Sequence, residues 1–151
     1  MHFRGVSAVN LDAKGRMALP VRFREALHDI CAGRVVITID MDERCLLLYP
    51  LPAWEQIQAQ VDALPNVNRE ARRIQRLLIG HATDAELDGS GRVLVPSMLR
   101  EFATLSKKLV LIGQGRKLEI WAEETWLERR DTWLDDGASD EGSAALESIS
   151  L

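Results

Sequence analysis

The chain has 151 residues, 46% of them hydrophobic and 28% charged, with a formal net charge of -4. That balance fits a globular protein of one ordinary domain or two small ones. No apolar run approaches the roughly 20 residues of a membrane helix, and the start, MHFRGVSAVN, lacks the apolar core and cleavage site of a signal peptide, so a cytoplasmic protein is expected.

The first predicted elements are two short strands, VSAVNLD and RMALP, around the tight turn AKG, a hairpin signature. Gly15 takes a positive φ that a branched residue resists, and the Asp12 carboxylate can hold turn amides. Asp12 and Arg16 stand four apart across the turn, close enough for the acid to orient the arginine without burying it. From Met1 to Leu27 the cations Arg4, Lys14, Arg16, Arg22 and Arg24 face only Asp12 and Glu25. A short helix, VRFREAL, follows Pro20, whose missing N–H costs nothing in a first turn. Two strands, VVITID and CLLLYP, come next. Cys31 and Cys45 have no CxxC or CxxH spacing and read as free thiols among apolar neighbours.

A helix begins near Pro52 and runs through AWEQIQAQVDAL; Pro65 and Asn66 separate it from a second helix that Asn68 can cap. On that second helix Arg69, Arg72, Arg73 and Arg76 form one basic stripe opposite Ile74, Leu77 and Leu78. Such a stripe can face DNA, but solvated or intersubunit ion pairing is the commoner outcome, with Asp62 and Glu55 as candidate partners.

The chain then repeats itself. HATDAELD, GSG and RVLVP answer the first hairpin: Leu11, Asp12, Gly15, Arg16, Pro20, Arg24 and Glu25 recur as Leu87, Asp88, Gly91, Arg92, Pro96, Arg100 and Glu101. Val35-Val36-Ile37 is matched by Leu109-Val110-Leu111, and CLLLYPLPAW by KLEIWAEETW, which sets Tyr49 against Trp121 and Trp54 against Trp126. Each unit spans about fifty residues, too few to bury a sufficient core alone, so its duplicate serves as partner. A closing helix starts near Glu123; Trp126, Leu127, Trp133 and Leu134 are expected on one packing face of it. The expected divisions are 1–54 and 81–134 for the two units, 55–80 for a linking helical hairpin, and 135–151 for an acidic tail without structure. That tail holds five acids and no Lys or Arg, leaving 19 basic against 18 acidic residues before it.

FRGVSAVNLDAKGRMALPVRFR, with the second DGSGRVLVP and the linking helices, resembles the MraZ family over Phe3 to about Leu134. The resemblance implies an α+β fold of two tandem AbrB-like swapped-hairpin β-barrel half-units, related by a pseudo-twofold and assembled into a homo-oligomeric ring. It further implies a DNA-binding transcriptional regulator, nucleoid-associated, acting on the promoter of the division and cell-wall gene cluster through short direct repeats. His2 departs from the family's usual start, and Lys14 is answered by Ser90, so the two motifs are unequal in charge.

The expected partner is double-stranded DNA, because each phosphate neutralised by Lys or Arg releases counterions and arginine can fork onto guanine. Arg16 is the leading contact, with Lys14 and Arg4 beside it and Asp12 setting its geometry. Arg92, held by Asp88 near Asp84 and Glu86, reads as a structural or secondary contact. Both acid–arginine pairs also read as plain hairpin salt bridges. Two other classes compete: an AbrB-like antitoxin that regulates itself, and a ring-forming scaffold without DNA binding. His2, His28 and His81 are scattered, and no GxSxG, HExxH, Walker or GxGxxG pattern occurs. No enzyme, cofactor, metal, membrane or small-molecule substrate is expected.

Overall fold

A computed structural model describes residues 2–137 and 140–151. The chain is α+β. Its strands are β1 (Phe3–Asn10), β2 (Arg16–Ala18), β3 (Arg34–Ile39), β4 (Leu46–Pro50), β5 (Thr83–Glu86), β6 (Arg92–Leu94), β7 (Lys108–Gly115) and β8 (Lys117–Ala122). Its helices are α1 (Val21–Cys31), α2 (Leu51–Asp62), α3 (Arg69–Ile74), α4 (Ser97–Phe102), α5 (Glu123–Asp136) and α6 (Asp140–Glu147), and a π turn, Gln75–Ile79, extends α3.

Every strand pairing is antiparallel. One sheet runs β1-β7-β8-β4-β3-β5, and β2 pairs with β6 in a second, two-stranded sheet. The order is its own mirror when each strand is exchanged for its repeat counterpart. The registers obey the same exchange. Val9 opposes Leu109 as Ala85 opposes Val35. Met17 lies opposite Val93, its own counterpart, and Leu47 opposite Glu119, again its counterpart. The leading strand of each repeat therefore pairs with the other repeat's third strand, not with its own.

Between the sheets lies one core that both repeats fill: Met17, Leu27, Ile37, Leu46 and Leu48 from the first, Val95, Leu109, Leu111, Leu118 and Ile120 from the second. The aromatic equivalence holds in space, since the Tyr49–Trp54 and Trp121–Trp126 ring centroids are each 5.8 Å apart. Asn68 caps α3 as expected, its side chain accepting from the Glu70 and Ala71 amides at 2.9 and 3.4 Å. Buried Thr38 donates to the Leu78 carbonyl at 2.6 Å, fixing the π turn on β3. Two expectations change. Trp126 and Trp133 pack on Trp121, but Leu127 and Leu134 stay exposed, because residues one position on point about 100° away around a helix. In the acidic tail, α5 continues through Asp136 and α6 spans Asp140–Glu147; Ala144, Ala145 and Leu146 are strong helix formers. Ala138 and Ser139 lie outside the described residues.

Candidate functional site

The two LDxxGR turns fold alike because the same short side chain caps both. Asp12 N–H donates to Arg16 O at 2.8 Å and Gly15 N–H to Asp12 O at 3.0 Å; in the second turn Asp88 and Gly91 do the same at 2.9 and 3.0 Å. Asp12 Oδ1 accepts from the Lys14 and Arg16 amides, both at 2.9 Å, and its Oδ2 accepts from Arg16 Nε at 3.2 Å. Asp88 Oδ1 takes the Ser90 and Arg92 amides, both at 2.9 Å, and Oδ2 takes Arg92 Nε at 3.0 Å. These bonds, led by the Arg16 and Arg92 amides, hold both carboxyls below the ordinary aspartate range. Gly15 and Gly91 sit at φ +83° and +74°, where a Cβ is strained.

The β2–β6 ladder brings the two turns together. Met17 and Val93 point into the core, so Arg16, Ala18, Arg92 and Leu94 share the outer face. Arg16 opposes Leu94, two residues from Arg92, which makes the arginines diagonal neighbours roughly 7–8 Å apart at their bases. Their side chains are 30% and 36% exposed, so the second arginine is no more hidden than the first. Each keeps both terminal nitrogens outside its hydrogen bond to the Asp.

Lys14 is exposed at the tip of the first turn. Arg4 is not beside it: it pairs with Gln114 at the far end of β1, eight extended residues from Asp12, or about 26 Å at the strand rise. Asp84 and Glu86 turn out to share a groove with Arg34, which leaves Asp88 as the acid bonded to Arg92.

Reading the sequence missed what supports the turns from below. Gly15 O accepts from Val95 N at 2.8 Å and Gly91 O from Leu19 N at 3.0 Å, so each turn is tied to the other repeat. Arg24 reaches under the second turn, donating Nη1 to Ser90 O at 3.0 Å. Arg100 reaches under the first, where a Cβ on Gly15 would come within 2.8 Å of its Cζ. The available signal was the recurrence of Arg24 as Arg100. Lys107 was missed as well; its carbonyl takes the Leu11 amide at 2.8 Å, and it shares an open groove with Asp12, Ala13 and Arg100.

The α3 stripe is exposed, and Arg73 pairs at 3.0 Å with Glu70, one turn away, rather than with Asp62 or Glu55. Cys31 and Cys45 are free thiols. Asp40, Cys45 and Glu119 place their ligand atoms within 4.8 Å of one another and, among the described residues, are the group that could hold a metal. Burial raises the Cys45 thiol and the Glu119 carboxyl above their ordinary ranges. Asp40 is engaged by the Asp42 and Glu43 amides and Glu119 by Trp121 Nε1, so local partners already occupy part of the set. Among the described residues no helix is long and apolar enough to cross a membrane.

A family model described as "MraZ protein, putative antitoxin-like" matches residues 2–77 and again 78–140. The chain is 54% identical over 150 residues to the transcriptional regulator MraZ of Thioalkalivibrio sulfidiphilus, with 99% of each chain covered. It is 53% identical over 149 residues to that of Alkalilimnicola ehrlichii and 52% over 151 residues to that of Halorhodospira halophila, again at 99% of each chain.

Proposed function

The chain belongs to the MraZ family of transcriptional regulators, and from that premise we propose that it binds double-stranded DNA through the outer face of the β2–β6 ladder and its two turns. The observation that carries this reading is the display of Arg16 and Arg92, each oriented by an aspartate, side by side on one exposed surface. Bound through Nε, each guanidinium is rotationally fixed while its terminal nitrogens stay available. A fixed fork can read guanine O6 and N7 in the major groove, where a free side chain first loses rotamer entropy. Lys14 adds phosphate attraction at the first turn. The second motif thus joins the first as a contact.

The interleaved pairing of β1 with β7 and β5 with β3 supports a swapped-hairpin barrel made of the 1–54 and 81–134 units, with 55–80 as linker and 135–151 as tail. One ladder offers two arginines, few for tight binding. We therefore place several copies in a ring, so that successive chains meet short direct repeats in a promoter and gain by effective concentration. The regulated promoter is that of the division and cell-wall gene cluster, and the setting is the nucleoid in the cytoplasm.

A mobility shift on the gene's own upstream region at fixed salt tests the assignment. Arg16→Ala and Arg92→Ala are each expected to weaken binding about tenfold or more, the scale of one lost bidentate base contact. Unchanged binding in both variants would reject the reading.

A further inference from the structure

We propose that the groove beside the first turn is a seat for a DNA phosphodiester, built by Arg100 and Lys107 of the second repeat, and that the second turn has no equivalent seat. The inference rests on the DNA reading above and makes its two turns unequal partners.

Arg24 and Arg100 are repeat counterparts, and each guanidinium lies beneath the opposite turn. Their states differ. Arg24 is committed through Nη1 to the Ser90 carbonyl at 3.0 Å. The Arg100 side chain makes no hydrogen bond and no ion pair among the described residues, and its Nε is buried without an acceptor. Arg24 Nε shares that fate, so the contrast lies in the terminal nitrogens. An arginine with uncommitted donors is held ready for an acceptor that arrives from outside.

Lys107 supplies the second cation. It is exposed, it follows Ser106 along the same groove, and the bond from Leu11 N to its carbonyl fixes its backbone against the turn. The acids that face this place are Asp12, whose oxygens already take the Lys14 and Arg16 amides and Arg16 Nε, and Glu101, which lines the neighbouring groove with Ser97 and Thr104. A planar fork with a point charge beside it is a combination suited to a phosphate oxyanion. At the second turn the counterpart of Lys107 is Gly33, which takes the Leu87 amide through its carbonyl, and the counterpart of Lys14 is Ser90. That turn lacks both lysines, and its arginine is engaged.

Salt dependence of binding tests the seat directly. Affinity for a duplex from the gene's own upstream region is measured from low to high salt for the full chain, Lys107→Gln, Arg100→Gln and Arg34→Gln. Each lost phosphate contact flattens the slope of log K against log salt by about 0.9 per bound chain. Lys107→Gln and Arg100→Gln are expected to flatten it, and Arg34→Gln to leave it unchanged. Lys107 is a surface residue, so its variant keeps the test valid if Arg100→Gln fails to fold. An unaltered slope in Lys107→Gln, while Arg16→Ala or Arg92→Ala still weakens binding, overturns the seat alone; if Arg16→Ala and Arg92→Ala also leave binding unchanged, the DNA reading falls as well. Titration with inorganic phosphate gives the remaining outcome: binding of the free anion that needs Lys107, with no change in the DNA slope, overturns the assignment to a phosphodiester.

Discussion

Asp12 and Asp88 each gather three hydrogen bonds from within five residues, and this locality made the turns legible. An Asp two residues before Lys or Ser and four before Arg needs no tertiary partner to close the loop. Arg4 was misplaced for the converse reason: its distance from the turn depends on β1 running straight against β7. The pairs also carry a pH signature. Both carboxyls lie below their ordinary value of 3.8 in the fold. A depressed acid contributes stability that is complete above the unfolded pKa and lost as pH falls through the folded one. The urea midpoint of the full chain is therefore expected to drop as pH falls from about 5 toward 3. In the Asp12→Asn/Asp88→Asn variant that drop should be smaller. Identical pH profiles would show that the turns contribute nothing to acid stability.

The repeats use one device to attach their closing helices, a strand-end aromatic against a tryptophan on the helix, and α5 elaborates it. Trp121, Trp126 and Trp133 form a triangle with centroids 5.7 to 6.0 Å apart. Arg129 sits 5.1 Å above the Trp133 ring and grips Glu43 through Nε and Nη2. The repeat alignment exposed the Trp121–Trp126 pair, since Tyr49 and Trp54 stand at the same spacing. Trp133 joining them was half-visible as the position seven beyond Trp126, whereas the Glu43 contact from the β3–β4 loop left no mark in the sequence. Trp121 is 1% exposed and Trp133 38%. Trp121→Ala should lower unfolding free energy by about 3–5 kcal/mol, and Trp133→Ala by about 1–2 kcal/mol, in proportion to the smaller area it removes from water. Urea unfolding followed by far-UV circular dichroism measures both, and equal losses would mean that α5 is held elsewhere than at its tryptophans.

At the scale of the whole molecule, duplication told that each repeat needs a partner, but not which strands they exchange. Alternation and turn residues are equally satisfied by β1 pairing within its own repeat. What decides is the mirror register, in which β1 takes β7, β5 takes β3 and β2 takes β6. Cut between Gly80 and His81, either half leaves those strands unpaired and strips cover from Met17 or Val93, both at most 1% exposed in the whole chain. Exposed edges and open core faces are not tolerated by a chain this short. Neither half is expected to fold as a monomer. Co-expressed, the two should form a 1:1 unit whose unfolding midpoint rises with concentration, because the linker that made their association intramolecular is gone. Light scattering with circular dichroism reads both properties, and a cooperatively folded monomeric half would show that strand exchange is not what holds this protein together.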